Sequence, residues 1–198
     1  MSRRKPFLKT LPAQIEIIKT TVKSPIRLFF QDEARFGRIS QLQRCWGPRG
    51  QRAIVPAQHI RQYTYVFAAL EPLTGDTVSL ILPWVNGEMM SLFLAETSRR
   101  YPNEHLVMVL DGAGWHKSKG LVVPENMTLV FLPPYSPELN PVEQLWKIMR
   151  RKFFANVLFS SMKALENTLV QACCWVESAK EMVHSFSYYN WIQHAIPN

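Results

Sequence analysis

Residues 105–112 read HLVMVLDG, and this stretch decides the fold class. Five apolar residues run without a polar break and end on Asp111. An unbroken run this short suits a strand buried on both faces, which is the pattern of a parallel strand inside an α/β sheet. MTLVFLPP, at 127–134, is a second such run. Between Trp84 and the first run lies NGEMMSLFLAETSRRY, where Asn86 is a helix cap and Met90, Phe93, Leu94 and Thr97 form one stripe.

Upstream, IRLFFQDE is rich in strand formers. Its alternation places Leu28, Phe30 and Asp32 on one face, and Arg27, Phe29, Gln31 and Glu33 on the other. In QRCWGPRGQRAIVP, GPRG predicts a turn between two short strands. YTYVFAALEPLTGDTVSLILPW predicts a hairpin with Thr74, Gly75 and Asp76 near its turn. Downstream, SMKALENTLVQACCWVESAK is a helix with Ser161 as its cap and Leu165, Leu169 and Cys173 on one side. Strands come first, followed by helix–strand–helix–strand–helix–helix. That order implies an α/β mixed sheet, with hairpins joined to parallel crossovers and helices on both faces. Residues 1–24, with a short helix at AQIEIIKTT, are expected to be a basic tail or linker ahead of one domain at 25–198. There is no internal repeat.

At 198 residues the chain is long enough for a substantial core, and 47% apolar residues exclude a disordered polypeptide. The formal charge of +8 admits a polyanionic partner such as nucleic acid, or simply a basic surface. Cys45, Cys173 and Cys174 have no metal-ligand spacing and are expected to be buried free thiols of a reducing cytosol. No apolar run spans a membrane, and the basic start MSRRKPFLKTLPAQ lacks the apolar stretch of a signal peptide. A cytoplasmic location is the expectation.

The chemistry rests on carboxylates. In NPVEQLWK, Asn140 is a good cap, Pro141 suits the first helical position, and Glu143 falls where a Glu reaches back to the cap N–H. Val142, Leu145, Trp146, Met149 and Phe153 form the core stripe of this helix, and Glu143 lies off it beside Lys147 and Arg150. A capping box with an exposed ion pair therefore accounts for Glu143 without any chemistry. Asp111 closes a buried strand, where sites gather in open α/β sheets, although an Asp before Gly also makes a turn. Asp32 sits near a strand end with Glu33 beside it on the opposite face. Three carboxylates brought to one sheet edge would repel one another unless a cation neutralised them. Oxygen-only ligands suit Mg²⁺ or Mn²⁺, and a metal pair supports in-line displacement at phosphorus. His116 is either a half-exposed loop residue or an accessory group of such a site.

LFFQDEARFG, WGPRGQR, VLDGAGWHKS and LPPYSPELNPVEQLWKIMRR, in that order, resemble the DDE catalytic domain of mariner-like transposases, particularly those of bacterial insertion sequences. The resemblance covers about residues 26–155. It implies an RNase H-like fold, two Mg²⁺ or Mn²⁺ ions, and Asp32, Asp111 and Glu143 as the catalytic, metal-holding triad. Glu138, in the preceding loop, is a weaker candidate for the third carboxylate. It implies strand cleavage by activated water and then attack of the freed 3′-OH on target DNA. The basic residues around the triad become candidate DNA contacts. These are Arg35 and Arg38, Arg49 and Arg52, His116, Lys117 and Lys119, and Lys147, Arg150 and Arg151. Trp46 and Trp115 are candidate stacking platforms.

The interval from Asp111 to Glu143 is a few residues shorter than the family's usual spacing. The stretch ahead of Ile26 is too short for the helix-turn-helix modules that normally read the terminal repeats. A split-frame or truncated product, a partner chain carrying those modules, and a homodimer on DNA are the corresponding expectations. A nuclease of the same fold and an inactive, domesticated DNA-binding remnant are the alternatives.

Overall fold

The computed structural model describes residues 4–51 and 53–195. Its centre is a five-stranded sheet in the order β3-β2-β1-β4-β5. The strands are β1 (Ile26–Ile39), β2 (His59–Leu70), β3 (Thr77–Leu82), β4 (His105–Leu110) and β5 (Met127–Phe131). β1–β2 and β2–β3 pair antiparallel, while β1–β4 and β4–β5 pair parallel. The mixed sheet expected from the order of elements is therefore present.

Alternation along the strands builds two cores. Phe29, Phe67, Met108 and Leu110 face one way and pack with Met90, Phe93 and Leu94 of α2 (Gly87–Arg100). Leu28, Phe30, Val107 and Val109 face the other way. They pack against α1 (Arg4–Thr21), α3 (Val142–Met149), α4 (Met162–Ser178), α5 (Lys180–Ser187) and α6 (Asn190–Gln193). β4 is buried along its whole length, as its composition demands. β5 is an edge strand, and only Met127 and Val130 of it are buried.

Local signals were good guides. The Asn86 side chain accepts from the Met89 N–H at 2.9 Å, and Met90, Phe93, Leu94 and Thr97 are the buried stripe of α2. Ser161 caps α4 in the same way. The β2–β3 turn uses Gly75 at φ +75°, where a Cβ would lie 2.0 Å from the Lys180 carbonyl oxygen.

Five expectations need correction. First, the basic tail is helix α1, and its Phe7, Leu11 and Ile15 are buried. Trp191 meets Phe7 at 6.4 Å and Phe30 at 5.8 Å, which joins both chain ends to the sheet. A fully buried ring such as Phe30 contributes roughly 1.5–3 kcal/mol, so the docking is substantial.

Second, GPRG does turn, with Gln51 N–H donating to the Pro48 carbonyl and Gly50 at φ +82°, but no short strands flank it. Apart from one bridge at Gln41, the described residues between Ile39 and His59 form an arm without strand pairing. Third, β4 and β5 are linked by a 3₁₀ turn at Gly114–Lys117 rather than a helix, in keeping with three glycines and a proline in that link.

Fourth, α3 ends in a π turn over Arg150–Phe154. The extra residue in that turn rotates the stripe, so Phe154 is buried where Phe153 was expected. Fifth, Cys45 and Cys174 are exposed; only Cys173 is partly buried, and burial pushes its thiol up to about 11. No helix among the described residues is long and apolar enough to cross a membrane.

Candidate active site

Sheet register brings the first two carboxylates together. The last β1–β4 pair is Phe30 with Val109. Asp32 and Asp111 each lie two residues beyond it, so both project from the same face at the same end of neighbouring strands. Past Phe30, β1 leaves β4 and continues paired with β2, with Asp32 opposite Ala68. The divergence opens a cavity of about 460 Å³. Asp32, Asp111, Gly112, Lys117, Asn140 and Glu143 line it, together with the 132–137 loop.

The third carboxylate arrives on α3. Asn140 is extended, its Oδ1 accepts from the Val142 N–H at 3.2 Å, and Pro141 takes helical dihedrals at the first position. The Asn140 side chain also donates to the Gln31 carbonyl at 2.9 Å, which pins the start of the helix to β1. The reach-back half of the capping box is not made. The Asn140 N–H donates to the Pro137 carbonyl instead, at 3.0 Å. Among the described residues no ion pair joins Glu143 to Lys147. Glu143 faces the cavity. Asn140 therefore fixes where α3 begins, and so where Glu143 points.

The electrostatics are those of crowded carboxylates. Burial raises Asp32 to about 7, with Glu33 and Glu143 adding to the rise. The Trp146 indole N–H donates to Asp32 Oδ2 at 2.8 Å and opposes it. Asp111 is held below the ordinary range, chiefly by its hydrogen bond to His116. Its Oδ1 accepts the Ala113 N–H at 2.9 Å and lies 2.9 Å from His116 Nδ1. His116 Nε2 lies 2.8 Å from Glu33 Oε1. Burial lowers the imidazole, but bonds to Asp111 and Glu33 outweigh that and raise it to about 9. Each imidazole nitrogen thus faces a carboxylate, which favours the charged ring.

A pH dependence follows. The folded pKa of Asp32 lies above its ordinary 3.8, so the stability this group contributes is complete below that value and is lost as pH rises through about 7. In chelator, Asp32→Asn is expected to raise the unfolding temperature at pH 8 and to change it little near pH 4. Thermal melts across that range check this, and a variant no more stable than wild type at pH 8 would contradict the shift.

The donor set, carboxylate oxygens alone, fits a hard divalent cation, and the raised Asp32 is a group that a cation would relieve. As arranged, no three acidic, His or Cys side chains among the described residues close on one point. The site is a ring of carboxylates around a cavity rather than a finished cage.

The other candidates separate clearly. Lys117 lines the cavity, with its ammonium 4.9 Å from the Phe131 ring centroid. Gly112 leaves it room, since a Cβ there would lie 3.0 Å from Lys117 Nζ. Arg35 lies over Tyr63 and Arg150 over Phe36, and both border a separate hollow of about 320 Å³. Arg49, Lys119, Lys147 and Arg151 are exposed. Arg52 lies outside the described residues.

Arg38 is partly exposed, and its guanidinium is engaged within the protein. Its three guanidinium nitrogens donate to the Phe159 carbonyl, the Ser160 carbonyl and Gln62 Oε1, tying the 159–160 segment to the sheet. His116 is buried beneath Asp111, so it cannot reach a phosphate. The Trp115 indole N–H turns inward, 3.0 Å from His116 Nε2 and 3.4 Å from Glu33 Oε1, whereas Trp46 is fully exposed on the arm. Glu138 is exposed and does not line the cavity. Tyr135, 97% exposed on the cavity rim, has φ +55°, a strained value for a bulky residue.

Two residues around the carboxylates lie outside the sequence expectations. Trp146 belongs to the core stripe of α3, but a buried indole N–H needs an acceptor and finds Asp32. Glu33 lies on the face opposite Asp32, but a Glu beside Phe29 on a buried face must find a partner and finds His116.

Known proteins resemble this chain in sequence and in fold. The uncharacterized protein y4pE/y4sA of Sinorhizobium fredii (strain NBRC 101917 / NGR234) is 42% identical over 113 residues, which is 57% of this chain and 81% of that protein. The Mos1 strand transfer complex matches with TM-score 0.68 at 16% identity, over 96% of this chain and 58% of that one. A pre-cleavage Mos1 transpososome matches with TM-score 0.66 at 16% identity, over 98% and 60%. The isolated catalytic domain of Mos1 mariner transposase matches with TM-score 0.58 at 11% identity, over 99% and 94%. The chain thus spans about three-fifths of the longer Mos1 chains and nearly all of the catalytic domain, and it shares their RNase H-like fold. Residues 27–166 match the DDE superfamily endonucleases, and with its sheet and carboxylates in this arrangement the chain belongs to that family.

Proposed function

We propose that this chain is the catalytic unit of an insertion-sequence transposase, cutting and joining DNA with Asp32, Asp111 and Glu143. The observation that carries the reading is the register that sets two aspartates side by side and caps them with a helix-borne glutamate at one cavity. These three side chains would hold two Mg²⁺ or Mn²⁺ ions, which when bound activate the attacking oxygen and neutralise charge on the phosphate. The chain's own residues position and shield. Asn140 and Trp146 fix Glu143 and Asp32, while Lys117 offers a cation at the rim.

Arg35, Arg49, Lys119, Lys147, Arg150 and Arg151 are the proposed backbone contacts, and the +8 charge supports a polyanionic substrate. Solved Mos1 assemblies include paired-end complexes with transposon-end DNA. By analogy we assign this chain a homodimer on DNA and a helix-turn-helix partner that reads the ends. The intact carboxylate ring favours an active enzyme over a decayed DNA-binding remnant.

Pre-cut ends with a free 3′-OH, incubated with target plasmid and Mn²⁺, test the reading directly. Joined products support a transposase. Plasmid nicking without joining would support the hydrolytic nuclease instead.

A further inference from the structure

Asp32 and Glu33 are neighbours on one strand, yet both serve the same site from opposite faces of the sheet. Glu33 is 7% exposed in its side chain and His116 is 1% exposed. Burial of that kind leaves a carboxylate strongly dependent on its partner. His116 Nε2 faces Glu33, and Nδ1 faces both Asp111 Oδ1 at 2.9 Å and the Asp111 carbonyl at 3.1 Å. The Ala113 N–H takes the same Oδ1. Two donors therefore occupy one Asp111 oxygen, and Oδ2 is left without a partner among the described residues.

We propose that Glu33 and His116 form a buried support that orients Asp111, so that Asp111 presents a single oxygen, Oδ2, to a divalent cation. Glu33 is a positioning residue, acting through His116 and touching neither cation nor DNA. The inference rests on the reading of Asp32, Asp111 and Glu143 as cation ligands. Groups that orient a ligand from behind commonly alter cation affinity by about ten- to a hundredfold.

Calorimetric titration of the full chain with Mn²⁺ alone tests it, using wild type, Asp32→Asn, Glu33→Gln and Glu33→Asp, each checked for folding by circular dichroism. Glu33→Gln keeps an acceptor and loses the charge. Glu33→Asp keeps the charge and loses the reach. Both are expected to weaken Mn²⁺ binding about ten- to a hundredfold. Unchanged binding in Glu33→Asp would overturn the support, since charge alone would then suffice. Unchanged binding in both would overturn it as well. If Asp32→Asn binds like wild type, the ligand reading itself fails and this inference falls with it. Should the Glu33 variants not fold, His116→Gln is titrated in their place, and wild-type affinity in it would overturn the proposal.

Discussion

Asp32→Asn and Glu143→Gln are each expected to abolish Mn²⁺-dependent nicking of supercoiled plasmid, by about a thousandfold or more. A bound cation contributes several kcal/mol to stabilising charge at the reacting phosphate, and each 1.36 kcal/mol is a factor of ten. Both substitutions keep side-chain volume while removing a charged ligand. Asp32→Asn should moreover leave a more stable apo protein, because it removes a carboxylate held at about 7 by burial. Lost activity combined with gained stability separates a ligand from a folding residue. Gel separation of nicked and supercoiled plasmid, run beside thermal melts, gives both readings. Nicking that survives in either variant would remove that residue from the chemistry.

Trp146→Ala is expected to cost about 3–5 kcal/mol of stability, the range for deleting a buried Trp. Trp146 is 2% exposed and packs edge-on against Phe36 at 6.1 Å in the core beneath α3. Trp146→Phe should cost much less, since most of the packing survives, but it loses the N–H that Asp32 accepts. That bond favours the charged form of Asp32, so its loss raises the carboxyl further. In chelator, the loss of stability with rising pH should then extend to higher pH in Trp146→Phe than in wild type. Denaturant unfolding measures the first effect and a pH series of thermal melts the second. An unshifted stability profile would mean that the indole N–H does not hold Asp32 in its charged form.

Much of this architecture was legible because the relevant signals are local. The Asn86 and Ser161 caps, the α2 stripe, the β2–β3 turn and the fully buried β4 each follow from a few consecutive residues. The three carboxylates that line the cavity were legible from strand and helix ends together with four motifs. What escaped depends on distant partners. α1 joins the core through residues distant in sequence, among them Trp191, which meets Phe7. Glu33 finds His116 across 83 positions. Arg38 is spent on carbonyls more than a hundred residues away. The π turn is a different failure, since it alters the period on which stripe reading relies, and Phe154 replaces Phe153.

The alternation along β1 constrains how this chain can change length. Inserting or deleting one residue ahead of Asp32 within the strand would exchange the faces of Asp32 and Glu33, starving the cavity of one carboxylate and His116 of the other. Pairing with both β2 and β4 leaves β1 no slack to absorb the shift. Among the described residues, the exposed arm between Ile39 and His59 has no strand pairing beyond the bridge at Gln41, and its hydrogen bonds to other segments come from its ends, at Gln41, Gln43 and Gln58. Length variation among relatives should therefore collect in that arm and avoid the strand, which makes the arm the natural place to graft a peptide tag.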